Sequence, residues 1–113
     1  MNGAFLERVK GTRSSGMITM DAPELGTKED PFTLYLMPPA LRDSDYSSQA
    51  VGEFERVIRL FIRIARDADG KRLVEDADLR ELMREGGAPV MYPVALRALK
   101  LVAVPKFGDT VKN

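Results

Sequence analysis

The sequence predicts an α+β, mainly α fold: a short N-terminal β-hairpin followed by three to four helices in a small bundle. Three observations carry that reading. Two short runs rich in Ile, Thr, Tyr and Phe, "MITMDA" and "FTLYLM", are bounded by turn formers and read as strands. Beyond the Pro38-Pro39 pair, apolar residues recur at spacings of three and four. Breakers at Asp69-Gly70 and in "GGAP" at 86–89 then cut that helical half into separate segments.

Taken in order, residues 1–16 show little periodicity and end in "GTRSSG"; Phe5, Leu6 and Val9 suit one short amphipathic turn. The chain reads as one domain, 1–113, with 1–16 and 103–113 loosely ordered. In the second strand Phe32, Leu34 and Leu36 share one face and Thr33, Tyr35 and Met37 the other. Neither face is polar, so cover on both is expected. Pro38 and Pro39 stop the strand, since neither can donate to a ladder. "ALRDSDYSSQAVG" offers a helix start at Asp43 or Ser44.

The strongest helical pattern spans 53–68. Phe54, Val57, Ile58, Phe61, Ala65 and Ala68 stack on one face, and Arg56, Arg59, Arg63 and Arg66 form a stripe on the opposite one. Leu60 and Ile62 stand at the margins of the apolar face and widen it. So wide an arc implies cover from more than one side, by its own domain, a sister subunit or a partner.

The stretch "RIARDADGKRLVEDADLREL" at 63–82 contains Asp-x-Asp-Gly, which invites a calcium-loop reading. With Gly70 at loop position 6, position 1 falls on Ala65, which has no ligand oxygen, and position 12 on Asp76, where Glu is usual. Lys71 and Arg72 would oppose a divalent ion at short range. The expectation is therefore a turn between helices, with Gly70 closing the first. Val74 would staple onto Leu79, with Asp76 and Asp78 in the first turn against the positive end of the dipole. That helix would bury Leu79, Leu82 and Met83 and pair Asp76 with Arg80. A last helix from Pro93 to Leu101 would bury Val94, Ala98, Leu101 and Val102.

Composition narrows the function. Lys plus Arg and Asp plus Glu both number 17, so no global field draws the chain to nucleic acid or anionic membrane. No apolar run approaches the ~20 residues of a membrane span, and "MNGAFLERVKG" lacks a signal-peptide core, which makes the cytoplasm the expected compartment. Without His or Cys there are no thiolate nucleophiles, His bases or Cys/His zinc sites. Carboxylate pairs in apolar surroundings, Gly-rich phosphate loops and Gly-x-Ser-x-Gly elbows are missing too, so the expectation is a non-enzyme without cofactor.

The order of elements, a strand ending "LYLMPPALRDSD", a long helix, "DADGKRLVEDADLREL" and a closing helix, resembles the tail assembly chaperones of long-tailed bacteriophages. Asp67, Gly70, Leu73, Val74, Asp78 and Leu79 hold the positions of that family's "Asp-x-x-Gly-x-x-Leu-Phe-x-x-Glu-Asp-Leu" turn, with Val74 in place of the aromatic. The resemblance implies a non-catalytic protein of the bacterial host cytoplasm, absent from the finished particle. It would hold the tape-measure protein soluble while the tail tube polymerises around it. The major tail tube protein and self-association are the further partners this implies.

The arc at Leu60 and Ile62, with Arg56, Arg59, Arg63 and Arg66, is the candidate partner-binding surface. A charged stripe opposite an apolar face is otherwise the solvated side of a helix, and in this one only Glu55–Arg59 is well placed as an i,i+4 pair with the acid first. Phosphate tracking is the rival, but aromatic residues do not interleave with the arginines, which argues against nucleic acid. The alternative function is a small DNA-binding or regulatory protein using 75–101 as a helix-turn-helix, or another phage tail or connector protein. Its reading helix would offer chiefly Arg97 and Lys100.

Overall fold

Chain order places a helix before the sheet. The computed structural model describes residues 2–102; the predicted loose segment 103–113 lies outside them. Helix α1 spans Gly3–Ser15, where the sequence suggested no more than one turn. Asn2 accounts for its start: its side-chain carbonyl accepts from the Ala4 and Phe5 amides at 2.8 and 3.1 Å, a cap that Asn provides well.

The two expected strands form as β1, Ile18–Ala22, and β2, Phe32–Leu36, antiparallel with Met20 opposite Leu34 and Ala22 opposite Phe32. Between them Pro23–Leu25 makes a 3-10 turn. Gly26 then lies so close to the returning backbone that a Cβ there would stand 2.5 Å from the Asp30 carbonyl. Alternation works as expected: Met20, Ala22, Leu34 and Leu36 point into the core. Phe32, on the same face but at the sheet's end, remains exposed.

The sheet has a third strand that the helical periodicity concealed. Helix α3 runs from Glu53 to Ile64, and Ala65–Arg66 then turn into β3, pairing antiparallel with Leu36 and Tyr35. Met37 extends that ladder by donating to the Ile64 carbonyl at 2.9 Å. Ala65 is therefore buried as a strand residue, while Ala68 is exposed and off the helix.

Asp69-Gly70 accordingly does not cap a helix; it closes a hairpin. The Asp67 amide donates to the Lys71 carbonyl at 2.8 Å, and Arg66 bridges to Arg72. Gly70 takes φ +83°, the left-handed region open to Gly. The Asp67 carboxylate accepts from the Asp69 and Lys71 amides at 2.8 and 2.9 Å, an Asx-type turn that turns it toward its own backbone.

Helix α2, Leu41–Ser48, begins earlier than expected, and Asp43 sits inside its first turn accepting from the Ala40 amide at 2.8 Å. A 3-10 turn at Asp76–Asp78 leads into α4, Leu79–Glu85, and α5 spans Ala88–Val102. Pro93 lies inside α5, because the helix starts at Ala88, after Gly87, well over a turn before the proline. The core gathers Val57, Ile58, Phe61, Ile62 and Ile64 of α3 between the inner sheet face and Val94, Ala95, Ala98 and Val102 of α5, with Leu79 at the end. Ala95 and Ala98 let α5 lie close on α3. Leu101 instead faces outward. The fold is α+β and mainly α, with a three-stranded antiparallel sheet and five α-helices among the described residues.

Candidate protein-binding site

The wide arc of α3 is covered by its own chain. Ile62 is 0% exposed, so it belongs to the core and not to the surface where the sequence reading placed it. Leu60 is half-buried. The reason lies in its neighbours: α2 and α5 pack along the helix, and β3, continuing from α3, brings the sheet into the same core.

The arginines are likewise turned inward. Only Arg56 remains in the open, 3.2 Å from Glu53. Arg59, with 13% of its side chain exposed, bonds Glu55 at 3.0 Å as the i,i+4 spacing predicted, and donates to the Tyr46 carbonyl at 3.1 Å. Arg63, 15% exposed, makes a two-pronged contact with Asp76 at 2.9 and 2.8 Å and reaches Asp43 at 3.1 Å. Both guanidiniums lie over the Tyr46 ring, 4.6 and 4.0 Å from its centroid. Arg66, in β3, donates to the Arg63 and Gly70 carbonyls at 2.9 and 3.3 Å.

Asp76 therefore does not pair with Arg80. It holds Arg63 and, at 2.7 Å, Arg72, while Arg80 crosses to Glu55 at 2.6 Å. The hairpin after β3 is what carries Asp76 back beside Arg63. Burial alone would raise the Asp76 carboxyl, but the hydrogen bonds from Arg72 and Arg63 outweigh it and hold the group below its ordinary value. Burial also works against charge on Arg63, and Asp76 and Asp43 more than offset it. This cluster clamps α2, α3 and the 72–78 segment together, which is a structural role.

An apolar surface lies where α4 meets α5. Three depressions adjoin there. One, of about 210 Å³, is lined by Phe54, Ile58, Leu82, Met83, Met91 and Tyr92 among others. The second, of about 250 Å³, runs from Leu73 and Val74 past Leu82 to Asp78, Glu81 and Glu85. The third, of about 270 Å³, joins Leu25 and Phe32 to Leu73, Leu82 and Met91. Leu82 lines all three, so they adjoin around it, and together they are termed the trough.

Local sequence builds this trough. Gly86 lets the chain turn sharply after α4, since a Cβ there would stand 2.7 Å from the Leu82 carbonyl and 3.1 Å from Met91. The same closeness sets Met91 beside Leu82. Phe54, expected in the core, lies at the trough's end, 56% exposed and edge-on to Tyr92 at 4.6 Å. Each depression is smaller than the ~300–1,000 Å³ typical of small-molecule sites. Together they suit a row of side chains from a partner, and the methionines can reshape to fit them.

Sequence reasoning singled out Leu82 and Met83 as buried and missed Met91, Tyr92, Leu25, Leu73 and Phe32 as members of a shared surface. The legible signal was "GGAPVMYPV", where large apolar residues directly follow a double glycine. The helix-turn-helix reading meets an obstacle at Arg97, which grips Glu24 at 2.7 and 3.0 Å and the Asp21 carbonyl at 3.3 Å, fastening α5 to the β1–β2 connection. Among the described residues no cluster of three or more acidic side chains is placed to hold a metal, and no helix is long and apolar enough to cross a membrane. Compared with known proteins, the chain matches no family model, no curated protein and no solved structure.

Proposed function

We propose that the chain is a non-enzymatic phage tail assembly chaperone that receives apolar helical segments of the tape-measure protein in the α4–α5 trough and keeps them soluble while the tube assembles. The observation that carries this reading is the trough itself. An amphipathic helix projects apolar side chains at i, i+3 or i+4 and i+7, and laying them into a continuous apolar groove is a recurring mode of helix capture. Contiguous exposed apolar surface of this kind marks interaction sites on small proteins. The order of sequence elements that resembles the chaperone family supports the same reading. Binding shifts here from the Arg59–Arg63 stripe, which the chain neutralises internally, to Phe54, Leu82 and Met91. The working compartment under this reading is the host cytoplasm, with the tube subunit as a further partner.

The test is co-purification of the tagged protein from cells producing its phage or prophage, followed by mass spectrometry. A very long helical protein should be recovered with the native chain and lost with Phe54→Asp, whose exposed position tolerates the charge. Recovery of nucleic acid that disappears at raised salt, with no such protein, would overturn the proposal in favour of a regulatory role.

A further inference from the structure

Helix α1 is poorly covered by its own chain. At 13 residues it is near the length at which isolated helices are marginal in water, and Gly11 and Thr12 weaken it further. It is anchored near its C-terminal end, where Arg13 donates to the Pro38 carbonyl at 2.9 Å and reaches Asp43 at 3.3 Å. Gly16 there fits so tightly that a Cβ would stand 2.8 Å from Pro38. Ahead of that anchor, a gap of about 510 Å³ separates Val9 and Thr12 from the Pro38–Pro39 segment. Phe5 and Val9, one turn apart on the same face, are 60% and 47% exposed.

Charge points to what covers this face. Helix α1 is basic, with Arg8, Lys10 and Arg13 against Glu7. Arg8 flanks the Phe5–Val9 face and forms no ion pair among the described residues. The trough is rimmed by Asp78, Glu81 and Glu85; Glu85 pairs with Arg84 at 3.1 Å, and Glu81 forms no ion pair among the described residues. An apolar pair flanked by a cation thus has, on the same molecule, an apolar trough flanked by anions.

We propose that in the absence of client the trough is occupied by α1 of a second copy of this chain, with Phe5 and Val9 beside Leu82 and Arg8 against Glu81 and Glu85. Reciprocal exchange closes a dimer; a one-way exchange propagates into a chain of copies. Self-association then competes with client for one surface, so that a client helix must displace α1. The competition rests on the function proposed above; the association does not.

Sedimentation velocity on the full chain over a concentration series provides the test, with circular dichroism confirming that each variant stays folded. The native chain should associate. Phe5→Asp with Val9→Asp should weaken association about tenfold or more, as loss of a central apolar anchor does, and so should Phe54→Asp with Glu81→Lys. Mixing those two variants should restore a complex, because one supplies an intact trough and the other an intact α1. A native chain that stays monomeric, or variants that associate as the native chain does, overturns the proposal, as does a mixture that fails to assemble. Adding an amphipathic Leu-rich helical peptide separates the two ideas. If Phe5→Asp/Val9→Asp binds the peptide while the native chain is monomeric, the chaperone reading survives and this one fails. If mixing restores assembly but no variant takes the peptide, the reverse holds.

Discussion

Replacing Arg63 by Met tests whether the arginine stripe is structure or surface. The substitution keeps most of the stem's packing and removes the charge. Asp43, whose side chain is 8% exposed, would lose one of its two guanidinium partners and keep Arg13 at 3.3 Å and the Ala40 amide at 2.8 Å. Breaking a fully buried pair costs about 3–5 kcal/mol, and the surviving partners bring that to roughly 2 kcal/mol here. The Asp76 contact is 43% exposed on the acid side and adds about 0.5–1 kcal/mol, and loss of the stacking on Tyr46 a similar amount. The sum, about 3 kcal/mol, corresponds to a fall of roughly 2 M in the urea midpoint at a slope of about 1.5 kcal/mol per M. Asp43→Asn should weaken the same contact, so the double variant should destabilise by at least about 1 kcal/mol less than the two single changes together. A midpoint shift below about 0.5 M for Arg63→Met, with client capture abolished, would refute this reasoning and return the stripe to the binding surface.

Other expectations follow from single positions. Gly70→Ala should cost about 1 kcal/mol in a denaturation series, because φ +83° is unfavourable with a Cβ although no atom stands in its way. Gly26→Ala should cost more, about 2–3 kcal/mol by the same measurement, since backbone atoms of Asp30 and Phe32 must move. Glu24 is held down to about 2 by the Arg97 hydrogen bonds, from an ordinary value of 4.5. A depressed carboxyl contributes stability that is present above about pH 4.5 and disappears as pH falls toward 2, so Glu24→Gln should flatten the acid limb of a stability-versus-pH curve over that window. A carbon-detected titration placing the Glu24 midpoint near 4.5 would contradict it. Calcium should leave the melting temperature unchanged, because the Asp67 carboxylate is engaged by its own loop amides; a rise saturating at micromolar calcium would contradict that geometry.

The elements that sequence made legible are those whose stability is local. The alternation in 32–36, the three-and-four spacing in 53–64, and the i,i+4 pair Glu55–Arg59 each depend on near neighbours, and each forms. What escaped depends on distant ones. Ala65 and Arg66 continue a helical pattern perfectly well, yet Tyr35 and Leu36 offer an open strand edge that takes them instead. That one exchange has several consequences. It moves Gly70 from helix cap to hairpin loop, carries Asp76 back to Arg63, and leaves Arg80 to find Glu55.

The candidate site was hidden for a related reason. An amphipathic pattern says that a face is covered but not by what, and α3 has two apolar flanks competing for cover. Once Val57, Ile58, Phe61, Ile62 and Ile64 are taken into the core, Phe54 is left beyond its end, beside Tyr92. Charges were misleading in the opposite sense. A row of arginines suggests a surface, but with Asp43, Glu55 and Asp76 brought around them Arg59 and Arg63 become the paired interior of a helix junction. The outward-facing chemistry is then apolar and is shared among α3, α4, α5 and the β1–β2 connection, which no single periodicity joins. Leu82 links all three depressions of that surface and is only half-buried, so it is the residue at which stability and binding meet. Leu82→Ala should lower stability by about 1–2 kcal/mol, less than a fully buried leucine. Phe54→Asp should cost about 1 kcal/mol, chiefly the lost edge contact with Tyr92, and still abolish capture of an apolar helix. If both variants lose stability alike and neither loses binding, the trough is core packing and the binding surface lies elsewhere.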